Sequence, residues 1–221
     1  MNFERVFDYV LPMASLQGSL FDSATEPRLR PLAGCLRRIP LSSGAWIDHL
    51  PGWVDRADLL FETLVDEVPW RSEERMMYDR KVRVPRLIAS YGVDVVAPHP
   101  VLEEAKARLA EHYRGTPGCD LETIGLCFYR SGADSVAWHG DKIGRVDSED
   151  MLVAIVSLGC QRRLALRPRQ GSSPSLHFEL GGGDLFVMGG SCQRTWEHAV
   201  PKTARPVGPR VSVQFRPRGV V

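Results

Sequence analysis

Disulfide chemistry has little to work with in this chain. Its 221 residues include five cysteines, Cys35, Cys119, Cys127, Cys160 and Cys192, an odd number with no C-x-x-C pair. That argues against a cysteine-stapled fold or a zinc-thiolate site and suits a reducing compartment. Charge of one sign is lacking too: 28 Lys and Arg stand against 27 Asp and Glu, a net charge of +1. No global field draws the chain to nucleic acid or membrane, so affinity for a polyanion must come from a local surface. No apolar run approaches the length of a membrane span, and MNFERVFDYVLPMASL lacks a basic region followed by an apolar stretch. The expectation is a soluble, cytoplasmic protein acting as a monomer.

What the chain does have is enough apolar content, 43% hydrophobic residues, for a substantial core. Residues 1–45 hold short apolar pieces broken by Pro12, Gly18, Pro27, Pro31 and Gly34, and read as an N-terminal arm with little regular structure. From residue 46 to 221 the pattern is that of one domain. Leu59, Leu60, Leu64 and Val68 recur at helical spacing, predicting a helix over about 56–68 that Pro69 ends. A second is predicted over about 100–113, with Pro100 in the first turn, Leu102, Ala105 and Leu109 on one face, and Gly115 beyond its end. After Gly118 the runs LETIGLCFYR, MLVAIVSLG, RRLALRP, SLHFEL, GDLFVMGG and RVSVQFRP are short, β-rich and bounded by Gly, Pro and Ser. They predict antiparallel hairpins over about 118–221. The fold class is mostly β with flanking helices: a jelly roll (double-stranded β-helix) under an N-terminal helical and irregular layer.

The tripeptide His139-Gly140-Asp141 carries the first chemical signal. On an extended segment residues i and i+2 point the same way, so His139 and Asp141 can offer an imidazole nitrogen and a carboxylate to one point. His198, in T-W-E-H-A-V-P, is the candidate third ligand. Two histidines and one carboxylate form the facial set that leaves adjacent positions open on a non-haem iron(II). A rival pair, His177 and Glu179, alternates with Leu176, Phe178 and Leu180 and reads as an outer strand face, while His49, His99 and His112 show no ligand partners.

In Arg210-Val211-Ser212-Val213-Gln214-Phe215-Arg216 polar and apolar residues alternate, so both arginines share a strand face. If that face looks inward, each guanidinium needs an anion, because an unpaired buried charge is costly. A dicarboxylate matches two arginine forks. Two further clusters, Arg28, Arg30, Arg37 and Arg38, and Arg162, Arg163, Arg167 and Arg169, read either as solvated surface or as phosphate contacts.

The ordered succession VPRLIASYG, FYRSGADSVAWHGD, GDLFVMGG-x-x-Q-x-T-W-x-H-x-VPK and RVSVQFR resembles the AlkB-type iron(II)- and 2-oxoglutarate-dependent dioxygenases, which dealkylate nucleic acids. The resemblance covers most of the chain from about Trp46 and implies iron(II), 2-oxoglutarate and O2 as cofactor and cosubstrates. By position it implies that His139, Asp141 and His198 bind the metal, and that Tyr129 and Arg210 hold the distal carboxylate of 2-oxoglutarate. Arg216 would support its chelating end. The implied reaction hydroxylates a carbon bonded to a base nitrogen in alkylated DNA or RNA, yielding succinate, CO2 and, after the hemiaminal collapses, formaldehyde. Departures fall at Cys127 and Ser212, where the family often has asparagine near the cosubstrate, and at Ile143, where an acidic residue usually reads the base. Tyr78 aligns with an aromatic wedge and Arg86 with a strand contact. Trp138, beside the first ligand, joins Tyr78, Arg86 and Ile143 as a candidate substrate residue. Two other functions fit the residues less fully: the same oxidation of a protein or small molecule, and a noncatalytic jelly-roll binding module.

Overall fold

The alternation in Arg210–Arg216 is the key to the layers of this protein. A computed structural model describes residues 26–77, 80–141, 149–171 and 174–220. In chain order its elements are β1 (Arg28–Leu29), β2 (Arg37–Pro40), β3 (Ala45–Leu50), β4 (Val54–Asp55), α1 (Ala57–Glu67), β5 (Arg71–Met77) and β6 (Arg80–Tyr91). There follow α2 (Pro100–His112), β7 (Thr123–Tyr129), β8 (Val136–His139), β9 (Val153–Gly159), β10 (Arg162–Pro168) and β11 (Leu176–Leu180). The last are β12 (Leu185–Gly190), the single-turn α3 (Cys192–Thr195), β13 (Trp196–Val200) and β14 (Arg210–Arg216).

The strands form an antiparallel eight-stranded sheet, β2-β3-β12-β9-β14-β7-β6-β5, and a four-stranded one, β11-β10-β13-β8, with β1 and β4 as a separate pair. β14 lies near the middle of the large sheet, with Ser212 opposite Cys127 of β7 on one side and Ser157 of β9 on the other. Val211, Val213 and Phe215 face outward into a core shared with Leu60 and Leu64 of α1 and Leu102 and Leu109 of α2. The opposite face of the large sheet meets the small sheet through Ile47, Val153, Ile155, Phe186, Leu164, Leu166 and Trp196. Each fully buried Leu or Phe in these layers contributes roughly 2 kcal/mol relative to an exposed one. Arg210, Ser212 and Gln214 are buried on this inner side, so the polar face of β14 looks into the sandwich. The architecture is the expected jelly roll with helices against one sheet.

Both predicted helices are present, α1 and α2 falling within a residue or two of their expected ends. His99 caps α2: its Nδ1 accepts from Val101 N at 3.2 Å, and Pro100 occupies the first turn, where a missing N–H costs nothing. The described part of the presumed arm is more regular than expected, since β2 adds an edge strand against β3 and β1 pairs with β4. β2 has no apolar alternation to reveal it; β3 supplies the ladder, and Pro40 at its end is tolerated on an edge. No helix among the described residues is long and apolar enough to cross a membrane.

Candidate metal centre

Three ligand-type side chains converge at the edge of the small sheet. His139 ends β8, Asp141 follows it by two residues, and His198 stands on β13 directly opposite His139 in the ladder. Their ligand atoms all lie within 4.8 Å of one another. The His139 and His198 ring centroids are 4.2 Å apart, and His139 Nε2 is 3.5 Å from Asp141 Oδ1. His139 Nδ1 lies 2.9 Å from the Ala137 carbonyl. A proton on that nitrogen donates to the carbonyl and leaves Nε2 as the lone-pair nitrogen facing the other ligands.

Glycine between the two β8-side ligands has a packing reason. A Cβ at Gly140 would lie 2.4 Å from the Gln193 carbonyl oxygen and 2.5 Å from Arg169 Nη2, so only a bare backbone fits against α3 here. Gln193 also holds the next residue: its Oε1 accepts from Asp141 N at 2.9 Å, and the side chain is buried. Gln193 stood in the sequence motif without a role; its signal was its place between the glycine pair and His198.

The protonation states suit metal binding. Burial, then the neighbouring His139, pushes His198 down to about 3, so its imidazole is neutral near pH 7. Burial alone would raise Asp141, but the Arg216 charge and the contact with His139 outweigh it and hold the carboxyl well below the usual carboxylate range. Arg216 Nε approaches Asp141 Oδ2 to 3.3 Å, an ion pair whose geometry falls short of a hydrogen bond.

Deeper in the sandwich, Arg210 is 1% exposed; its Nε donates to Ser157 Oγ at 2.9 Å and its guanidinium carbon is 5.3 Å from the Tyr129 ring centroid. Its Nη1 is buried without a protein hydrogen-bond partner. A buried guanidinium nitrogen left open is costly unless an anion meets it. Burial, followed by Cys127, raises Tyr129 above the ordinary tyrosine range, so its hydroxyl keeps its proton and can donate. Two imidazoles, one carboxylate and an open interior guanidinium therefore fit iron(II) with an anionic chelator. Ser157, a lone hydroxyl in the apolar run of β9, was not singled out on sequence.

The remaining candidates fall differently. Cys127 and Ser212 are cross-strand partners on the same inner face, beside the open arginine. Trp138 is turned away: on β8 it alternates with His139, and the Arg167 guanidinium sits 4.4 Å from its ring while pairing with Glu197 at 2.8 Å. The period-2 rule that points His139 inward points Trp138 to the reverse face. Arg86 stands on β6. It donates to the Ser135 carbonyl at 3.4 Å, its Nε is buried, and its guanidinium is placed near Cys127 and Tyr129. Tyr78 and Ile143 lie outside the described residues.

The second arginine cluster is mostly structural. Arg162 is buried and donates to the carbonyls of Ser131, Asp134 and Pro201, Arg163 pairs with Glu179, and Arg169 meets the Gln193 and Trp196 carbonyls. His177 and Glu179 are exposed on β11, the outer face expected of them.

This arrangement is that of an iron- and 2-oxo-acid-dependent oxygenase, and the chain belongs to the 2OG-Fe(II) oxygenase superfamily, whose family model matches residues 47–216. Membership carries the cofactor set of iron(II), 2-oxoglutarate and O2. Within the superfamily it is of the AlkB type. It is 32% identical over 198 residues to alpha-ketoglutarate-dependent dioxygenase alkB homolog 3 of Homo sapiens, a match covering 76% of this chain and 66% of that protein. To the DNA oxidative demethylase ALKBH2 of Arabidopsis thaliana it is 26% identical over 193 residues, covering 71% of this chain and 60% of that one. The chain thus spans just under two thirds of the length of alkB homolog 3. The solved structure of OsALKBH1 superposes with a TM-score of 0.52 at 15% identity, over 82% of this chain and 100% of that chain, a likeness of fold.

Proposed function

We propose that this protein removes N-alkyl groups from bases of DNA or RNA by oxidation, holding iron(II) through His139, Asp141 and His198. The observation that carries the site assignment is the convergence of those three side chains, in a sandwich that also buries the open Nη1 of Arg210. The nucleic-acid substrate draws its support from the similarity to a DNA oxidative demethylase.

When bound, iron(II) with 2-oxoglutarate and O2 supplies an oxidant able to hydroxylate an alkyl carbon attached to nitrogen, with succinate and CO2 as coproducts; the hydroxylated group then leaves as formaldehyde. The chain's own part is binding and exclusion of water. Arg210 and the Tyr129 hydroxyl receive the distal carboxylate of 2-oxoglutarate, where the guanidinium gains the anion it lacks within the protein. Arg216 pairs with Asp141, keeping that carboxylate ionised, and would support the chelating end of 2-oxoglutarate. Cys127 and Ser212 border the same pocket from adjacent strands. The helix-backed large sheet shields the far side from water. Tyr78, Arg86 and Ile143 remain the residues proposed to face the nucleic-acid side. Five free thiols fit a cytoplasmic setting, in which the protein acts as a monomer.

The test is to load the protein anaerobically with iron(II) and 2-oxoglutarate, then admit O2 with an N-methylated oligonucleotide. Formaldehyde in step with succinate is expected. Succinate that never depends on the oligonucleotide, with no formaldehyde, would move the substrate to another class of molecule.

A further inference from the structure

The polar face of β14 contains one residue to which neither ligand nor cosubstrate chemistry assigns a part. Gln214 is 5% exposed. Its Nε2 donates to the Ser212 backbone carbonyl at 2.9 Å and to Ser212 Oγ at 2.7 Å. Its Oε1 accepts from Arg216 Nη2 at 3.3 Å and faces the Cys127 thiol at 3.9 Å. Two oxygens on one side and a guanidinium on the other determine which way the amide points, because the flipped amide would set N–H against N–H. Arg216 is thereby held between two oxygens, Gln214 Oε1 at one nitrogen and Asp141 Oδ2 at another.

Space for this arrangement comes from Gly125, the direct cross-strand partner of Gln214 on β7. A Cβ there would stand 3.1 Å from Gln214 Oε1 and 3.8 Å from both Cζ and Nη1 of Arg216. A side chain at position 125 would therefore press on the amide oxygen, while meeting the guanidinium only at ordinary contact distance. Neither Cys127 nor Ser212 brings an amide to this face, and the one amide present reaches both of them.

We propose that Gln214 is a positioning residue of the cosubstrate site. It orients the Arg216 guanidinium, and through it the Asp141 carboxylate and the chelating end of 2-oxoglutarate, in a space that Gly125 keeps open. The inference rests on the role given to Arg216 above. In a water-poor interior a carbonyl dipole against a guanidinium restrains it strongly, since the competing solvent is absent.

Anaerobic titration of the iron(II)-loaded protein with 2-oxoglutarate tests this, followed by the visible charge-transfer absorption of a 2-oxo acid chelated to iron(II). Absence of that absorption in the wild type would remove the cosubstrate reading itself. Given a wild-type signal, Gln214→Leu keeps the bulk and loses the amide; it is expected to bind 2-oxoglutarate roughly ten-fold more weakly, the scale of one hydrogen bond to a charged group. Its absorption maximum is expected to shift. A loss of fold alone would not move the absorption maximum. Gly125→Ala leaves the amide in the sequence but crowds it, and is expected to weaken 2-oxoglutarate in the same direction; it decides the question if Gln214→Leu does not fold. Wild-type affinity and absorption maximum in either folded variant would overturn the proposal.

Discussion

His139 and His198 face each other directly across the ladder between β8 and β13, with ring centroids 4.2 Å apart. An antiparallel pairing thus delivers two nitrogens to one place from segments far apart in the chain, and Asp141 completes the set two residues after His139. Iron(II), or manganese(II) as a redox-silent substitute, binds only the folded arrangement. At 100 times its Kd it is expected to stabilise the protein by about 2.7 kcal/mol, roughly 5–10 °C in Tm at this size. His198→Ala is expected to lose that shift, as read by thermal melts with and without metal. A full shift in the variant would place the metal elsewhere.

Arg210→Met should fold, because it replaces a buried guanidinium whose Nη1 has no protein partner by an apolar chain of similar length. Affinity for 2-oxoglutarate is expected to fall at least about thirty-fold, the loss of roughly 2 kcal/mol or more for a desolvated charge pair. Anaerobic calorimetry on the metal-loaded protein measures it, and unchanged affinity would detach Arg210 from the cosubstrate.

Arg162 ties three carbonyls, those of Ser131, Asp134 and Pro201, across the loop that leads into β8 and the segment that leaves β13. Arg162→Met strands these acceptors and is expected to cost about 3 kcal/mol of stability. Denaturant unfolding reads the loss; a midpoint equal to wild type would show that water replaces the guanidinium freely.

Asp134 takes the Arg130 fork at 2.8 and 2.9 Å. Burial alone would raise its carboxyl, but the Arg130 hydrogen bonds and charge lower it below its ordinary value. A depressed folded pKa means stability that is present above the unfolded value and is lost as pH falls through the folded one. Asp134→Asn is therefore expected to be less stable than wild type at pH 7, by about 1 kcal/mol or less because Arg130 is half exposed. The difference should close below about pH 4; a gap that persists in acid would assign the effect to packing.

Much of this was legible in the residues, for reasons that differ by position. The alternation over 210–216 was enough to place Arg210 and Arg216 on one face, and the buried Val211, Val213 and Phe215 on the other decided which face looks inward. His139 and Asp141 followed from strand periodicity, yet the same rule turns Trp138 outward beneath Arg167, a consequence that motif resemblance conceals. β2 was hidden because Arg37-Arg38-Ile39-Pro40 has no pattern of its own and depends on β3 for its ladder. Ser157 and Gln193 were illegible as site residues because their partners Arg210 and Asp141 are far away in sequence and are brought close only by the fold. Gln214 lies among its partners on β14, but alternation gives its face and not the direction of its amide.

β14 fits between β7 and β9 although it follows both in the chain. During translation those two neighbours emerge first, each with a row of amides and carbonyls that nothing yet answers. The strand that closes the gap also brings Arg210 and Arg216, so the sheet and the placing of both guanidinium groups are finished in one event. A nascent chain stalled before residue 210 is then a pair of open β-edges with an aggregation hazard that ends when β14 docks.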